Sequence, residues 1–306
     1  MDRFRGGLLG LAACDALGTT IEFRPPGSFE PLTDIVGGGP FSLKAGQWTD
    51  DMSMALCLTE SLLERKGFDP CDQLERYVDW HENGHWSSTG VCFDIGNTVK
   101  AALAKFKQTG EAFCGSTDKY SAGNGSIMRL IPVPLFFARD IEEAIEKSAL
   151  SSRTTHQHPA SIDACRYMAS LILGCLNGAS KEELLCRNYC LIDGYFDEHP
   201  LVTEIGAIAE GSFKELNPPE IQGSGYVVKS LEAALWAFYH TDNFKDGALM
   251  AVNLGDDADT TGAVYGQIAG AFYGKRGIPK SWLDKLALRK DIELFAKSLY
   301  EASRKR

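Results

Sequence analysis

The apolar positions of this chain recur at helical spacing. From Met52 to Glu64, Ala55, Leu58 and Leu62 fall on one face. From Ala160 to Leu176 the same holds for Cys165, Met168, Ala169 and Ile172, and from Val227 to Tyr239 for Leu231, Ala234, Leu235 and Phe238. Strict alternation is scarce. The run Ile131 to Phe136 contains Pro132 and Pro134 and makes a poor strand. The pattern predicts an all-α fold. Two of the helices carry small residues every four positions: Gly6, Gly10, Cys14 and Gly18 near one end, and Gly262, Gly266, Gly270 and Gly274 near the other. Residues four apart share a helix face. Each interior glycine costs about 1 kcal/mol against alanine. Two such ladders, interleaved with Phe4, Leu8 and Leu11 and with Val264, Ile268 and Phe272, predict close backbone approach deep in a helical bundle.

Composition narrows the function classes. With 44% hydrophobic and 24% charged residues, the chain has ordinary globular makeup, and 306 residues suffice for one large core or two lobes. A net charge of −10 argues against nucleic acid held on a broad basic surface, though a small anionic ligand could still occupy a local pocket. Nine cysteines without a CxxC, mostly inside apolar helical patterns, predict reduced, buried thiols in a cytoplasmic protein. The N-terminal "MDRFRGGLLGLAAC" has the outline of a lipoprotein signal, but its apolar run is short, Asp2 lies among the basic residues and Asp15 follows Cys14 at once. No stretch is apolar enough for a membrane span, so no membrane partner is expected.

The acids are unevenly placed. "QWTDDMSMAL" sets Asp50 and Asp51 where an apolar helix begins, and "NLGDDADTTGAVYG" sets Asp256, Asp257 and Asp259 before another. Thr49 or Asp50 could cap the helix starting near Met52. Capping uses one side chain and leaves the others unexplained. If the clusters face each other, two carboxylates 4 Å apart repel by roughly 4 kcal/mol at an effective dielectric near 20. A helix dipole offsets only about 0.3–1 kcal/mol. Either the clusters are apart and solvated, or cations sit between them. Carboxylates with threonine hydroxyls form a hard-oxygen set suited to Mg²⁺, Mn²⁺ or Ca²⁺.

Several blocks, taken together and in order, resemble the ADP-ribosylglycohydrolase family: "GLAACDALGTTIEF", "GQWTDDMSMAL", "SAGNGSIMRLIPV", "TTHQHP", "SGYVVKSLEAALWAF" and "LGDDADTTGAVYGQIAGAFYG". They span nearly the whole chain, which implies one domain over residues 1–306. The resemblance further implies a compact orthogonal multi-helix bundle with a central pair of divalent ions, Mg²⁺ or Mn²⁺. The implied ligands are Thr49, Asp50, Asp51, Asp257, Asp259 and Thr260, with Asp259 between the ions. Glu22 matches a family glutamate on a loop near the ions. Two positions depart from the family pattern: Cys14 and Asp256 stand where glycine is common.

The remaining candidates follow the same two-sided reading. "SAGNGS" reads as a tight turn or an anion nest; the resemblance places Ser121, Gly123 and Asn124 at ADP-ribose. His156 and His158 form H-x-H, but no further residue is spaced for zinc, and Pro159 opens a helix-start pattern. The resemblance takes His156 to the ligand and leaves His158 packing or capping. Tyr226 reads as core, as a hydrophobic staple or, by resemblance, as pocket lining. Asp94 reads as a cap for the helix containing Val99 and Leu103 or, by resemblance, as a ribose neighbour.

The activity implied is hydrolysis of the bond from C1″ of ADP-ribose to an acceptor, on a protein or a small-molecule adduct, by a monomeric enzyme. The ions orient the ribose and activate a water; Asp50, Asp51 or Asp257 serves as its base, and Glu22 shapes the entrance. The short "TTIEFRP" segment resembles the arginine-acting branch. Serine-linked ADP-ribose, O-acetyl-ADP-ribose and an inactive ADP-ribose-binding or crystallin-like relative are the alternatives.

Overall fold

In a computed structural model describing residues 1–306, helices and their connections make up the whole fold, with no strand beyond isolated bridging pairs. Fifteen α-helices follow one another: α1 (Asp2–Gly18), α2 (Asp50–Arg65), α3 (Pro70–Asn83), α4 (Asn97–Thr109), α5 (Pro132–Phe136), α6 (Ile141–Arg153), α7 (Pro159–Asn177), α8 (Lys181–Leu184), α9 (Tyr195–Glu198), α10 (Thr203–Ala209), α11 (Val227–His240), α12 (Phe244–Val252), α13 (Ala258–Tyr273), α14 (Lys280–Lys285) and α15 (Arg289–Ser303). One contiguous core of 82 buried apolar residues runs through them. No helix is long and apolar enough to cross a membrane.

The glycine ladders are explained by each other. α1 and α13 pack antiparallel along their length, backbone against backbone. A methyl group added at Gly6 would lie 2.1 Å from the Gly270 carbonyl oxygen, and one at Gly10 2.2 Å from that of Gly266. Reciprocally, one at Gly270 would meet the Gly6 carbonyl at 2.1 Å. Only hydrogen fits at these crossings. Gly262 opposes Cys14, so Cys14 is the one ladder position where a side chain is accommodated. The antiparallel sense matters for function. It sets the C-terminal end of α1, with Asp15 and Gly18, beside the N-terminal end of α13, where Gly18 abuts the backbone of Ala258 and Asp259.

The segment Ile131–Phe136, a poor strand by its prolines, is in fact the short helix α5, with Pro132 in its first turn. The first-turn N–H groups of a helix have no intrahelical acceptor, so a proline there loses nothing. α2 packs against α1, α3, α5 and α15 and delivers its N-terminus to the same end of the α1–α13 pair.

Candidate active site

The starts of α2, α4 and α13 and several connecting loops converge on a cavity of about 590 Å³. Its wall carries six carboxylates (Glu22, Asp50, Asp94, Asp256, Asp257 and Asp259), and neither a lysine nor an arginine. Thr260 and the "GNG" turn of Gly123, Asn124 and Gly125 complete one side, with His156 behind them. The stretches 121–125 and 223–226 lie together: Gly123 bridges to Tyr226, and Asn124 N–H donates to the Gly225 carbonyl at 3.1 Å. Asn124 Nδ2 donates to Asp257 Oδ2 at 2.8 Å and so fixes that carboxylate.

The acids at the start of α2 do not cap it. Thr49 occupies the N-cap position without a side-chain capping bond. Asp15 of α1 does that job from outside. The Thr49 N–H donates to Asp15 Oδ1 at 2.8 Å and the Met52 N–H to Asp15 Oδ2 at 3.1 Å. With its backbone held, Thr49 turns its hydroxyl inward. Oγ1 lies 3.0 Å from Asp15 Oδ1, 3.2 Å from Asp51 Oδ2 and 3.3 Å from Asp259 Oδ2. One hydroxyl proton cannot serve three carboxylates. Thr260 Oγ1 adds a further contact to Asp51 Oδ2 at 3.4 Å. Thr49 and Asp51 are fully buried just behind the cavity wall.

Electrostatics sharpen the picture. Buried oxygens of Glu22 (Oε2), Asp51 (Oδ1) and Asp259 (Oδ1) have no hydrogen-bond partner. One carboxylate oxygen from each of Glu22, Asp94 and Asp259 lies within 4.8 Å of the others. Burial, then the charges of Asp94, Asp257 and Asp51, push Glu22 up to about 10. Burial, then Asp257, raises Asp94 to about 7. Asp50, Asp51 and Asp259 are likewise driven upward, chiefly by burial and then by neighbouring acids. Too many negative groups share too small a volume unless positive charge joins them. The donors are all hard oxygens, so the residues fit divalent cations of the Mg²⁺ class.

The sequence-derived candidates distribute themselves unevenly. Glu22, Asp50, Asp94, Gly123, Asn124, His156, Asp257, Asp259 and Thr260 line the cavity. Asp94 caps nothing: α4 begins at Asn97 with Gly96 before it and no side-chain cap. Ser121 and Tyr226 belong to the converging loops but not to the cavity wall; Ser121 Oγ donates to Ser116 Oγ at 2.9 Å, and Tyr226 is 40% exposed. His158 caps α7 through a bond accepted from the Ala160 N–H. Asp15 escaped the sequence reading, and Asp256 entered it only as one acid of the α13 cluster and as a departure from the family pattern. Asp256, in a left-handed conformation at φ 53°, lines the wall, and its backbone pairs with Phe23 and Arg24 (2.7 and 2.8 Å), pinning the Glu22 loop to the start of α13. Asp15 was passed over because it lies inside an apolar ladder; a solitary acid there was itself the signal, since a buried carboxylate needs donors.

This combination of an all-helical bundle with an acid-lined cavity at the junction of α1, α2 and α13 defines a class. The chain belongs to the ADP-ribosylglycohydrolase family, whose model matches residues 1–306. It is 42% identical over 302 residues to the ADP-ribosylarginine hydrolase Tri1 of Serratia proteamaculans, covering 98% of this chain and 79% of that relative. It is 33% identical to the ADP-ribosyl-[dinitrogen reductase] glycohydrolase of Rhodospirillum rubrum, covering 96% and 93%. A solved ADP-ribosylglycohydrolase-related protein complex superposes with a TM-score of 0.87 at 42% identity, covering 99% of this chain and 98% of that one.

Proposed function

We propose that this protein hydrolyses ADP-ribosyl-arginine on modified proteins, cleaving the bond between C1″ of the ribose and the guanidine nitrogen and releasing ADP-ribose. The observation that carries this reading is the cation-poor, carboxylate-rich cavity in a chain 42% identical to an ADP-ribosylarginine hydrolase. Thr49, Asp50, Asp51, Asp257, Asp259 and Thr260 would hold two Mg²⁺ or Mn²⁺ ions. When bound, such ions supply the missing positive charge and polarise oxygens brought to them.

The chain's own groups supply the rest. Asn124 fixes Asp257 with one oxygen engaged, which leaves the other free to orient or deprotonate a water. Asp50 and Asp51 start α2 on the opposite side, held there through Asp15 and Thr49. Glu22 closes the entrance and stands where a proton can pass to the leaving nitrogen. Gly123, Asn124 and His156 form the wall that would receive ADP-ribose, with Ser121 and Tyr226 supporting it from behind. The net charge of −10 supports a protein or small-molecule adduct as partner over nucleic acid. The nine unpaired cysteines support a reducing, cytoplasmic setting. We place the activity in a single-domain monomer.

The test is incubation with arginine- and serine-ADP-ribosylated peptides, with and without EDTA, followed by mass identification of the product. Intact ADP-ribose from the arginine peptide, lost with EDTA and restored by Mg²⁺, is expected. Release from the serine peptide alone, or AMP as product, would replace this reading.

A further inference from the structure

Arg129 is fully buried, yet no carboxylate pairs with it. Its guanidinium lies 4.7 Å from the Tyr77 ring centre. Nη1 donates to the Gly125 carbonyl, and Nη2 donates to Thr155 Oγ1 at 2.7 Å. Thr155 is fully buried as well, and its Oγ1 has one other partner, Nδ1 of His156 at 2.9 Å. An arginine can only donate. Thr155 Oγ1 therefore accepts from Arg129, and the one acceptor within reach of its own proton is His156 Nδ1. Were Nδ1 protonated instead, the hydroxyl proton would be stranded in a buried site. With Nδ1 accepting, the ring's proton is on Nε2.

That second nitrogen points to the cavity. Its edge lies against the two glycines of "GNG". A methyl group on Gly125 would sit 2.8 Å from His156 Cε1, and one on Gly123 3.3 Å from Nε2. Both glycines and His156 line the cavity, and Nε2 has no partner within the protein. Burial and then the Arg129 charge push the imidazole down to about 3, consistent with a neutral ring. Asp257, on the same cavity wall, has its Oδ2 taken by Asn124.

We propose that Arg129 and Thr155 are positioning residues that hold His156 in its Nε2–H tautomer, so that the ring offers a neutral, fixed N–H donor to an oxygen of the bound ligand. The ligand half rests on the reading that the cavity takes ADP-ribose; the tautomer half rests on the protein alone. His156 then serves as a hydrogen-bond donor throughout the neutral pH range and takes no part in proton transfer.

Nitrogen-15 NMR of histidine-labelled protein without ligand tests the relay directly, with the His156 signals identified by their loss in His156→Gln. The expected spectrum shows a neutral ring protonated on Nε2. In Thr155→Val, which removes the hydroxyl at constant shape, the Nδ1-protonated or charged form should emerge, and calorimetric affinity for ADP-ribose in Mg²⁺ should fall roughly tenfold. Thr155→Ser should restore both. A wild-type ring protonated on Nδ1 or on both nitrogens overturns the proposal whether or not the variants fold, and so does an unchanged tautomer in Thr155→Val. A spectrum as expected, with no ADP-ribose binding by the wild type, would instead strike the functional reading and leave the relay standing.

Discussion

Acids at the starts of helices do two different things in this molecule. At α3 and α6, Asp69 and Asp140 accept bonds from their own helix: Asp69 from the Cys71 and Asp72 N–H groups, Asp140 from that of Glu143. At α2 and α13, Thr49 and Asp257 hold the equivalent position and make no such bond. The α2 start is stabilised from another helix by Asp15, which leaves Asp50, Asp51, Asp257 and Asp259 free to face one another. A cap satisfied locally is a structural device. A start whose acids are all turned away from their own backbone is a site.

Substitutions at the two kinds of helix start should differ widely in effect. Asp259→Ala removes a carboxylate central to the cluster and should lower turnover by about a thousandfold or more, roughly 4 kcal/mol of barrier, with saturating Mg²⁺ unable to restore it; steady-state kinetics across a Mg²⁺ series checks this. Asp15→Ala strands two buried N–H groups and releases Thr49. It should lower stability in denaturant melts by about 3 kcal/mol and weaken Mg²⁺ binding measured by calorimetry.

A smaller effect follows from pH. Asp15 and Asp94 rise from 3.8 to about 7 and Glu22 from 4.5 to about 10. Between those limits the folded state binds more protons than the unfolded one, so these groups favour folding fully below pH of about 4 and lose that contribution as the pH rises. From Asp15 alone the metal-free protein should lose about 2–3 kcal/mol between roughly pH 5 and pH 7, with Glu22 acting in the same direction, and Mg²⁺ should reverse the loss. Melting curves across that range would show it, and a rising stability would contradict the crowding described. Least of all, Asp140→Ala should cost about 1 kcal/mol of stability and leave turnover unchanged.

Much of this was legible in the sequence. The helical period gave the fold class, and the glycine ladders announced close approach because nothing else repays so many interior glycines. What spacing cannot carry is the partner: Gly10 and Gly266 are far apart in the chain, and only the structure shows that they touch. The "DD" and "DAD" clusters were visible as acids in excess of capping needs. Asp15 was hidden because its reason for being buried is the backbone of a helix some 35 residues later. Ser121 and Tyr226 share their loops with true wall residues, and one-dimensional spacing could not separate the two.

The pairing of α1 with α13 joins the first helix of the chain to one that ends at Tyr273. As the protein is synthesised, α1 must therefore wait, apolar and glycine-faced, until α13 has left the ribosome. The nascent chain can hold no complete acid cluster, and closing so long a loop is slow. Catalytic competence should arrive late and all at once, as the final clasp of folding.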